Sequence, residues 1–309
     1  MRLRLSSLAV VYFDTVRVSG SIRQAARHLN VASSAVNRQI LNLEADIGMK
    51  LFDRLPGGLR LTPAGEVLAR HVTGAMRDAR ETVAELAALE GGQSGEIGLA
   101  AIETANVRII PEAMAAMATR FPSVRVRVRT VGSHAVPPMV ASGEADLGLS
   151  FWAPENAALT RLALHRSAVG AVLREDHPLA AEDGPLRFEA LLGSPLILGT
   201  PDVSINTHLS TFLARHRERL HVIAEVGSYE LMRALVRRTG AVGFQARLGL
   251  SARGDGLVHR AILGEAETGE LSSALALYRR PDGFVSGALA AFIELLRMAL
   301  ADDGVRPPP

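Results

Sequence analysis

Cysteine is absent from all 309 residues. That excludes disulfides, thiolate metal sites and cysteine nucleophiles together. Aromatic residues are scarce at 4%, with Trp152 the single tryptophan. Lysine is nearly missing, since Lys50 is the one lysine among 34 basic residues. No apolar run reaches membrane-spanning length, and the longest, around 288–300, is interrupted by Glu294 and Arg297. The opening Met1-Arg-Leu-Arg-Leu-Ser lacks the apolar block and cleavage site of an export signal, so the expected location is the cytoplasm, away from any membrane. There is no internal repeat, no low-complexity tract, and no P-loop, GxGxxG, HExxH or GxSxG pattern. His216 and His221 stand five apart, a spacing that splits them across a helix. These absences argue against an enzyme, and the missing export signal argues against an exported solute-binding protein. No residue set calls for a cofactor.

What is present is ordinary globular composition, 48% hydrophobic and 21% charged, over a length suited to two or three domains. The net charge of +2 is unevenly spread: residues 1–70 hold ten basic against five acidic side chains, and the remainder is net acidic. A basic first section on a near-neutral body favours an anionic partner for that section alone.

Three sections follow from the patterning. In the first, Leu5, Leu8, Tyr12 and Val16 share one helical face, and Ser19-Gly20 ends that helix. Ser21 with Gln24 has capping-box spacing for a second helix reaching about Leu29. Asn30-Val31 allow a tight turn. A third helix from about Ser33 to Leu43 carries Val36, Ile40 and Leu43 on one stripe. Leu51–Leu55 and Leu59–Leu61 flank Pro56-Gly57-Gly58, a hairpin signal. Helix, helix, turn, helix and a small β-wing make a winged helix-turn-helix. The second section opens at Thr62-Pro63, a good cap followed by proline at the first helical position, and runs to about Glu90 as one helix about 42 Å long. Leu68, Val72, Ala75, Met76, Ala79, Val83 and Leu86 form a narrow stripe near coiled-coil spacing. Either a second copy of the chain or the helix's own domain covers it.

The third section alternates strands expected at Glu96–Ala101, Val124–Val131, Leu147–Phe151, Val169–Leu173, Leu196–Leu198, Ala241–Phe244 and Ala274–Tyr278 with helices at Val107–Arg120, Val136–Ser142, Ile205–Arg219 and Ser228–Arg238. That alternation predicts parallel sheets covered by helices, with ligands beyond the carboxyl ends of the strands. Val124–Val131 alternates strictly; Arg125, Arg127 and Arg129 guard an edge strand or offer a nucleic-acid surface.

With Val36, Ile40 and Leu43 facing inward, Ser33, Ser34, Asn37 and Arg38 project outward at spacing suited to base edges and phosphates in a major groove. Arg54 and Arg60 on the hairpin suit the DNA backbone or minor groove. The stretch Ser21-Ile-Arg-Gln-Ala-Ala-Arg-His-Leu-Asn-Val-Ala-Ser-Ser-Ala-Val-Asn-Arg-Gln-Ile-Leu-Asn-Leu-Glu44 resembles the helix-turn-helix of LysR-type transcriptional regulators. Gly48-Met-Lys-Leu-Phe-Asp-Arg54 and Leu61-Thr-Pro-Ala-Gly65 resemble their wing and linker entry, and Gly143–Gly148, His177–Ala180 and Val236–Phe244 continue the likeness more loosely. Ala32-Ser33-Ser34 stand where the family often has Ser-Gln-Pro, Asn37 replaces a frequent serine and Leu41 a frequently basic residue, whereas Arg38 and Gln39 match.

The resemblance implies a multidomain α+β chain. Its parts are a winged helix-turn-helix over 1–62, a dimerisation helix over 63–92, an effector domain over 93–302 and a frayed tail at 303–309. The effector domain resembles periplasmic binding proteins: one subdomain at about 93–163 and 268–302, the other at about 164–267, with crossings near 161–167 and 261–272. The resemblance further implies a homodimer through 63–90, a dimer of dimers on an interrupted two-fold operator in double-stranded DNA, contact with RNA polymerase, and a small-molecule effector between the subdomains. Candidate effector residues lie just after strands: Glu103 and Thr104, Ser133 and His134, Phe151 and Trp152, Pro201–Ser204, and Phe244 with Gln245. Thr104 serves as an anion contact or as a plain helix cap, and Glu103 beside it opposes an anion.

Overall fold

The computed structural model describes residues 7–56, 58–89, 95–151, 158–182, 184–200, 203, 205–250, 256–264 and 269–301. Two compact units divide the chain, one built on residues 1–92 and one on the chain that follows. No helix of the described residues is long and apolar enough to cross a membrane.

The first unit runs α1 (Leu8–Ser19), α2 (Ile22–Leu29), α3 (Ser33–Ile47), β1 (Phe52–Leu55), β2 (Gly58–Leu61) and α4 (Pro63–Leu89). Each of its three short helices ends on a left-handed residue: Gly20, Asn30 and Gly48. Asparagine tolerates that conformation through its short polar side chain. Ser7 caps α1, its Oγ accepting from the Val10 N–H at 3.4 Å. The capping box expected at Ser21 does not form. The Ser21 carbonyl accepts from the Ala25 N–H at 2.9 Å, so the turn closes through backbone alone. Leu5 lies outside the described residues, and Leu8, expected on the buried stripe, is exposed at this helix end.

Phe13, Val16, Val36, Ile40, Leu51 and Val72 form the core of this unit. Glu44 ties the wing to α3, its Oε1 accepting from the Leu51 and Phe52 N–H groups at 2.7 and 3.3 Å. Thr62 Oγ1 accepts from the Gly65 N–H at 3.0 Å and so caps α4. Gly65 is obligatory there, because a Cβ would lie 2.1 Å from the Leu51 carbonyl oxygen. The α4 stripe proves divided. Leu68, Ala69, Val72 and Met76 pack on the unit's own core, whereas Val83 and Leu86 stay exposed.

The second unit runs β3 (Gly95–Ala101), α5 (Ile109–Arg120), β4 (Val124–Thr130), α6 (Val136–Ser142), β5 (Leu147–Ser150), β6 (Thr160–Arg174), β7 (Pro195–Gly199), α7 (Ile205–Arg215), β8 (His221–Val226), α8 (Tyr229–Thr239), β9 (Gly243–Ala246), β10 (Leu257–Ala261), β11 (Ser272–Arg279) and α9 (Gly287–Ala301). Its main sheet has the order β10-β6-β11-β5-β3-β4, with β9 also against β6. Strands β7 and β8 pair in parallel, and a bridge from Leu196 to Val242 sets β7 beside the start of β9.

Two lobes result from the length of β6. Its residues 160–168 pair with β11 in the first lobe, and residues 169–172 pair with β9 and 170–174 with β10 in the second. The chain returns beside this crossing, where the Val169 N–H donates to the Leu271 carbonyl at 2.7 Å. Each lobe has its own core, one around Leu99, Leu147, Leu277 and Phe292, the other around Leu173, Phe188, Leu209 and Phe244.

The sheets are mixed, which corrects the expectation of parallel ones. β3 is parallel to β4 and β5, but β11, β10 and β9 all run antiparallel to their partners. Antiparallel neighbours need no covering crossover helix, and among the described residues none lies between β10 and β11. β4 ends the sheet order, with its valines half-buried and Arg125, Arg127 and Arg129 exposed. Arg127 pairs with Glu96 on the neighbouring strand.

Candidate functional site

On α3, Val36 and Ile40 are anchored in the core, which turns the opposite side outward. Ser33, Ser34 and Arg38 are exposed and Asn37 is half-buried. The pairs Ser33/Asn37 and Ser34/Arg38 are four residues apart, so each pair stacks along the helix. Arg54, on β1, donates from Nη2 to Asn37 Oδ1 at 3.1 Å, which brings the wing onto the same surface. Arg60 instead faces Asp53 across the hairpin at 3.9 Å. Ala32 provides no side-chain cap, so the first N–H groups of α3 keep their capacity for an outside acceptor.

Beside that helix start lies an open hollow of about 420 Å³, lined by Arg23, Arg27, Asn30 and Ser33 among others. Two guanidinium groups next to uncapped helix N–H groups suit a phosphate. Arg23 and Arg27 were missed by the motif reading. Their signal was present: they sit four apart on α2, with Ala25 and Ala26 buried between them.

The second candidate region is the seam between the lobes of the second unit. Thr104 follows β3 and is buried at 1% exposure, yet its Oγ1 has no hydrogen-bond partner among the described residues. Opposite stands Gly249, where an added Cβ would come within 3.1 Å of Thr104 Cγ2. Gln245 is fully buried behind it. Its Nε2 donates to the Gly249 carbonyl at 2.8 Å, and its Oε1 accepts from Arg233 Nη1 at 3.2 Å. Glu103 reaches across the seam, its Oε1 accepting from Ser228 Oγ at 3.0 Å and from the Glu230 N–H at 3.2 Å. A second crossing joins His208 Nε2 and Ser273 Oγ at 2.8 Å.

The remaining candidates scatter. Ser133 Oγ accepts from the Phe151 N–H at 3.3 Å within the first lobe. Phe244 is fully buried in the second lobe's core, its ring stacked on Phe188 at 6.0 Å. Trp152 and Ser204 lie outside the described residues. Sequence reading grouped these by their place after strands, but side-chain direction along a strand alternates, and burial claims those that point inward.

Burial governs the titrations here. Desolvation holds His259 down to about 4, although its Nε2 meets the Gln245 carbonyl at 3.1 Å. It also lowers His208 and His177, and it raises the Tyr278 phenol, whose OH meets Ser150 Oγ at 2.9 Å. Among the described residues no cluster of three or more His, Asp or Glu side chains is arranged to hold a metal.

Comparison with known proteins agrees with this architecture. The family model for the bacterial regulatory helix-turn-helix protein, lysR family, matches residues 8–66, and that for the LysR substrate binding domain matches residues 90–301. The transcriptional regulator YofA of Bacillus subtilis is 26% identical over 284 residues, covering 91% of this chain and 95% of YofA. The uncharacterized regulator YbhD of Escherichia coli is 28% identical over 197 residues, covering 64% of this chain but only 61% of YbhD. The full-length CbnR structure, solved with its target DNA, has the same fold, with a TM-score of 0.63 at 18% identity over 94% of this chain and 98% of CbnR. The chain therefore belongs to the LysR family of bacterial helix-turn-helix transcriptional regulators.

Proposed function

We propose that the first unit reads an operator in double-stranded DNA through α3. Ser33, Ser34, Asn37 and Arg38 meet base edges and phosphates in the major groove, and Arg54 and Arg60 engage the backbone from the wing. The observation that carries this reading is the pairing of a core-anchored helix with an exposed polar side to which Arg54 is already bonded. CbnR, solved with target DNA, supports the same use of this unit. The second unit takes a small-molecule effector between its lobes, at the seam holding Glu103 and Thr104, with Ser133, Trp152, Ser204 and Phe244 as further candidates. The orphaned Thr104 hydroxyl supports a polar ligand there, because a buried unpaired hydroxyl costs about 1–3 kcal/mol until something satisfies it. Residues 1–62, 63–92 and 93–302 act as reader, dimerisation helix and effector domain. Exposed Val83 and Leu86 support pairing of the 63–90 helix with a second copy. Two such dimers then occupy an interrupted two-fold site, with RNA polymerase alongside. The chain works in the cytoplasm as a regulator and performs no catalysis.

A gel shift on the chain's own upstream DNA tests the reading. Specific retention that weakens steeply with salt is expected. Retention indifferent to competitor sequence overturns it.

A further inference from the structure

Glu103 is the first residue of the short turn after β3, in the first lobe. Ser228 is the N-cap of α8, in the second lobe, and its hydroxyl also accepts from the Leu231 N–H at 3.4 Å. The Glu103 carboxylate therefore sits at the start of α8, where the first N–H groups have no acceptor within the helix itself and the dipole is positive. It takes one hydrogen bond from the cap hydroxyl and one from the Glu230 backbone, both across the seam. A helix start is the place where a protein commonly holds a ligand's anion. Here a side chain more than a hundred residues away in sequence occupies it. Next to this contact Thr104 lies against Gly249, and Leu248, packed in the first lobe's core, donates its N–H to Ser167 Oγ at 3.1 Å.

We propose that Glu103 is a tethered carboxylate that fills the α8 N-terminus, ties the two lobes together without any ligand, and excludes small anions from that position. It is a positioning residue. An effector that presents a carboxylate at this point must displace Glu103 first, whereas a neutral or cationic one enters with the tie intact. That consequence rests on the lobe seam being the effector's place. The tie itself does not, and it is measured with no effector present, so the two readings fail separately.

The absence of native cysteine makes the measurement direct. Ala118→Cys on α5 and Ala214→Cys on α7 are exposed positions in opposite lobes and accept spin labels. Pulsed dipolar spectroscopy on the full chain, diluted with unlabelled protein, then reads the lobe-to-lobe distance. With Glu103 in place, one narrow distribution is expected, identical in sodium acetate and in sodium chloride of equal ionic strength. Glu103→Ala should broaden and lengthen it and speed hydrogen exchange at the Glu230 amide about tenfold, the size of a lost charge-assisted bond. Acetate, but not chloride, should then restore the narrow distribution by taking the vacated site. Should Glu103→Ala fold poorly, Glu103→Gln keeps the shape and an acceptor oxygen but removes the charge, and a smaller opening is expected that acetate, finding the site still filled, does not reverse. An unchanged distribution in Glu103→Ala, or in Glu103→Gln where alanine fails to fold, overturns the proposal, and so does an opened Glu103→Ala distribution that acetate fails to close.

Discussion

On α3 the polar side chains stand in solvent with most of their hydrogen-bonding capacity unused; along the lobe seam Gln245 and Ser273 are buried, Glu103, Ser228 and His208 are half-buried, and all five are bonded to other parts of the second unit. The side chains of Ser33, Ser34 and Arg38 make no hydrogen bond or ion pair among the described residues, and the Asn37–Arg54 contact is itself exposed. Gln245, by contrast, is fully enclosed and bonded through its carboxamide and its backbone carbonyl, to Gly249, Arg233 and His259. A surface that must meet a large, hydrated polyanion keeps its donors free and depends on little beyond a rigid backing. A site that must recognise a small molecule has to be dry, and dryness forces its polar groups to satisfy one another. Substitutions in the two regions should therefore register in different measurements: binding for α3, stability for the seam and the lobe behind it.

The largest effect is expected at Phe244. Truncation to alanine removes a ring packed at the centre of the second lobe, and such a cavity costs about 3–5 kcal/mol. Urea unfolding followed in the second unit checks it. A loss well under this range, with ligand response altered instead, would move Phe244 from the core to the site and break the contrast.

Next comes acid. His259 titrates near its ordinary value of 6.5 when unfolded and at about 4 when folded, because its enclosed ring resists charging. Unfolded chain thus takes up a proton that folded chain refuses. The stability contributed by this group is complete above about pH 6.5 and is lost as pH falls to about 4, by about 3 kcal/mol. His208 and His177, both lowered, act in the same direction. His259→Gln should flatten the stability curve within that window. DNA affinity of folded protein owes nothing to this residue and should follow a different pH course.

Arg38→Ala provides the converse. The side chain is exposed, so folding stability should move by no more than about 0.5 kcal/mol. Operator affinity should fall by about 1–3 kcal/mol, about five- to 150-fold, with a shallower salt dependence if the lost contact is to phosphate. Fluorescence anisotropy on labelled operator reads both. Unchanged affinity would remove Arg38 from the interface.

The same division decides what the sequence makes legible. The head was readable because its site is local: Ser33 to Arg38 lie within two turns of one helix, and the buried stripe Val36/Ile40 fixes which side faces out. Lobe cores and most strands were also readable as apolar runs. β8 was not, because Val222 and Ile223 are exposed and its burial pattern carries no clean alternation. The length of β6 was hidden as well, since only its second half, Val169–Leu173, is a continuous apolar run, while Arg161, His165 and Arg166 mask the half that pairs with β11. The seam was beyond reach for a different reason. Glu103, Ser228 and Gln245 share no local pattern, and only the return of the chain through both lobes brings them together. The awkwardness of an acid beside Thr104 was visible; the helix start that accommodates it was not.

The smallest effect tests the seam most directly. Thr104→Val keeps the shape and deletes a buried hydroxyl that has no hydrogen-bond partner among the described residues. Elsewhere Thr-to-Val replacement loses a hydrogen bond; here none exists to lose, and the desolvation cost of the hydroxyl disappears. The ligand-free chain should therefore gain about 1 kcal/mol. The gain should show as a higher urea midpoint for the second unit, with DNA affinity of the first unit unchanged. If effector contact is the reason the hydroxyl is kept, the same variant should bind effector more weakly while being more stable without it, a pairing that a plain helix cap does not produce. A loss of stability instead would mean that the hydroxyl is satisfied in solution, and the seam would then carry no standing vacancy for a ligand group to fill.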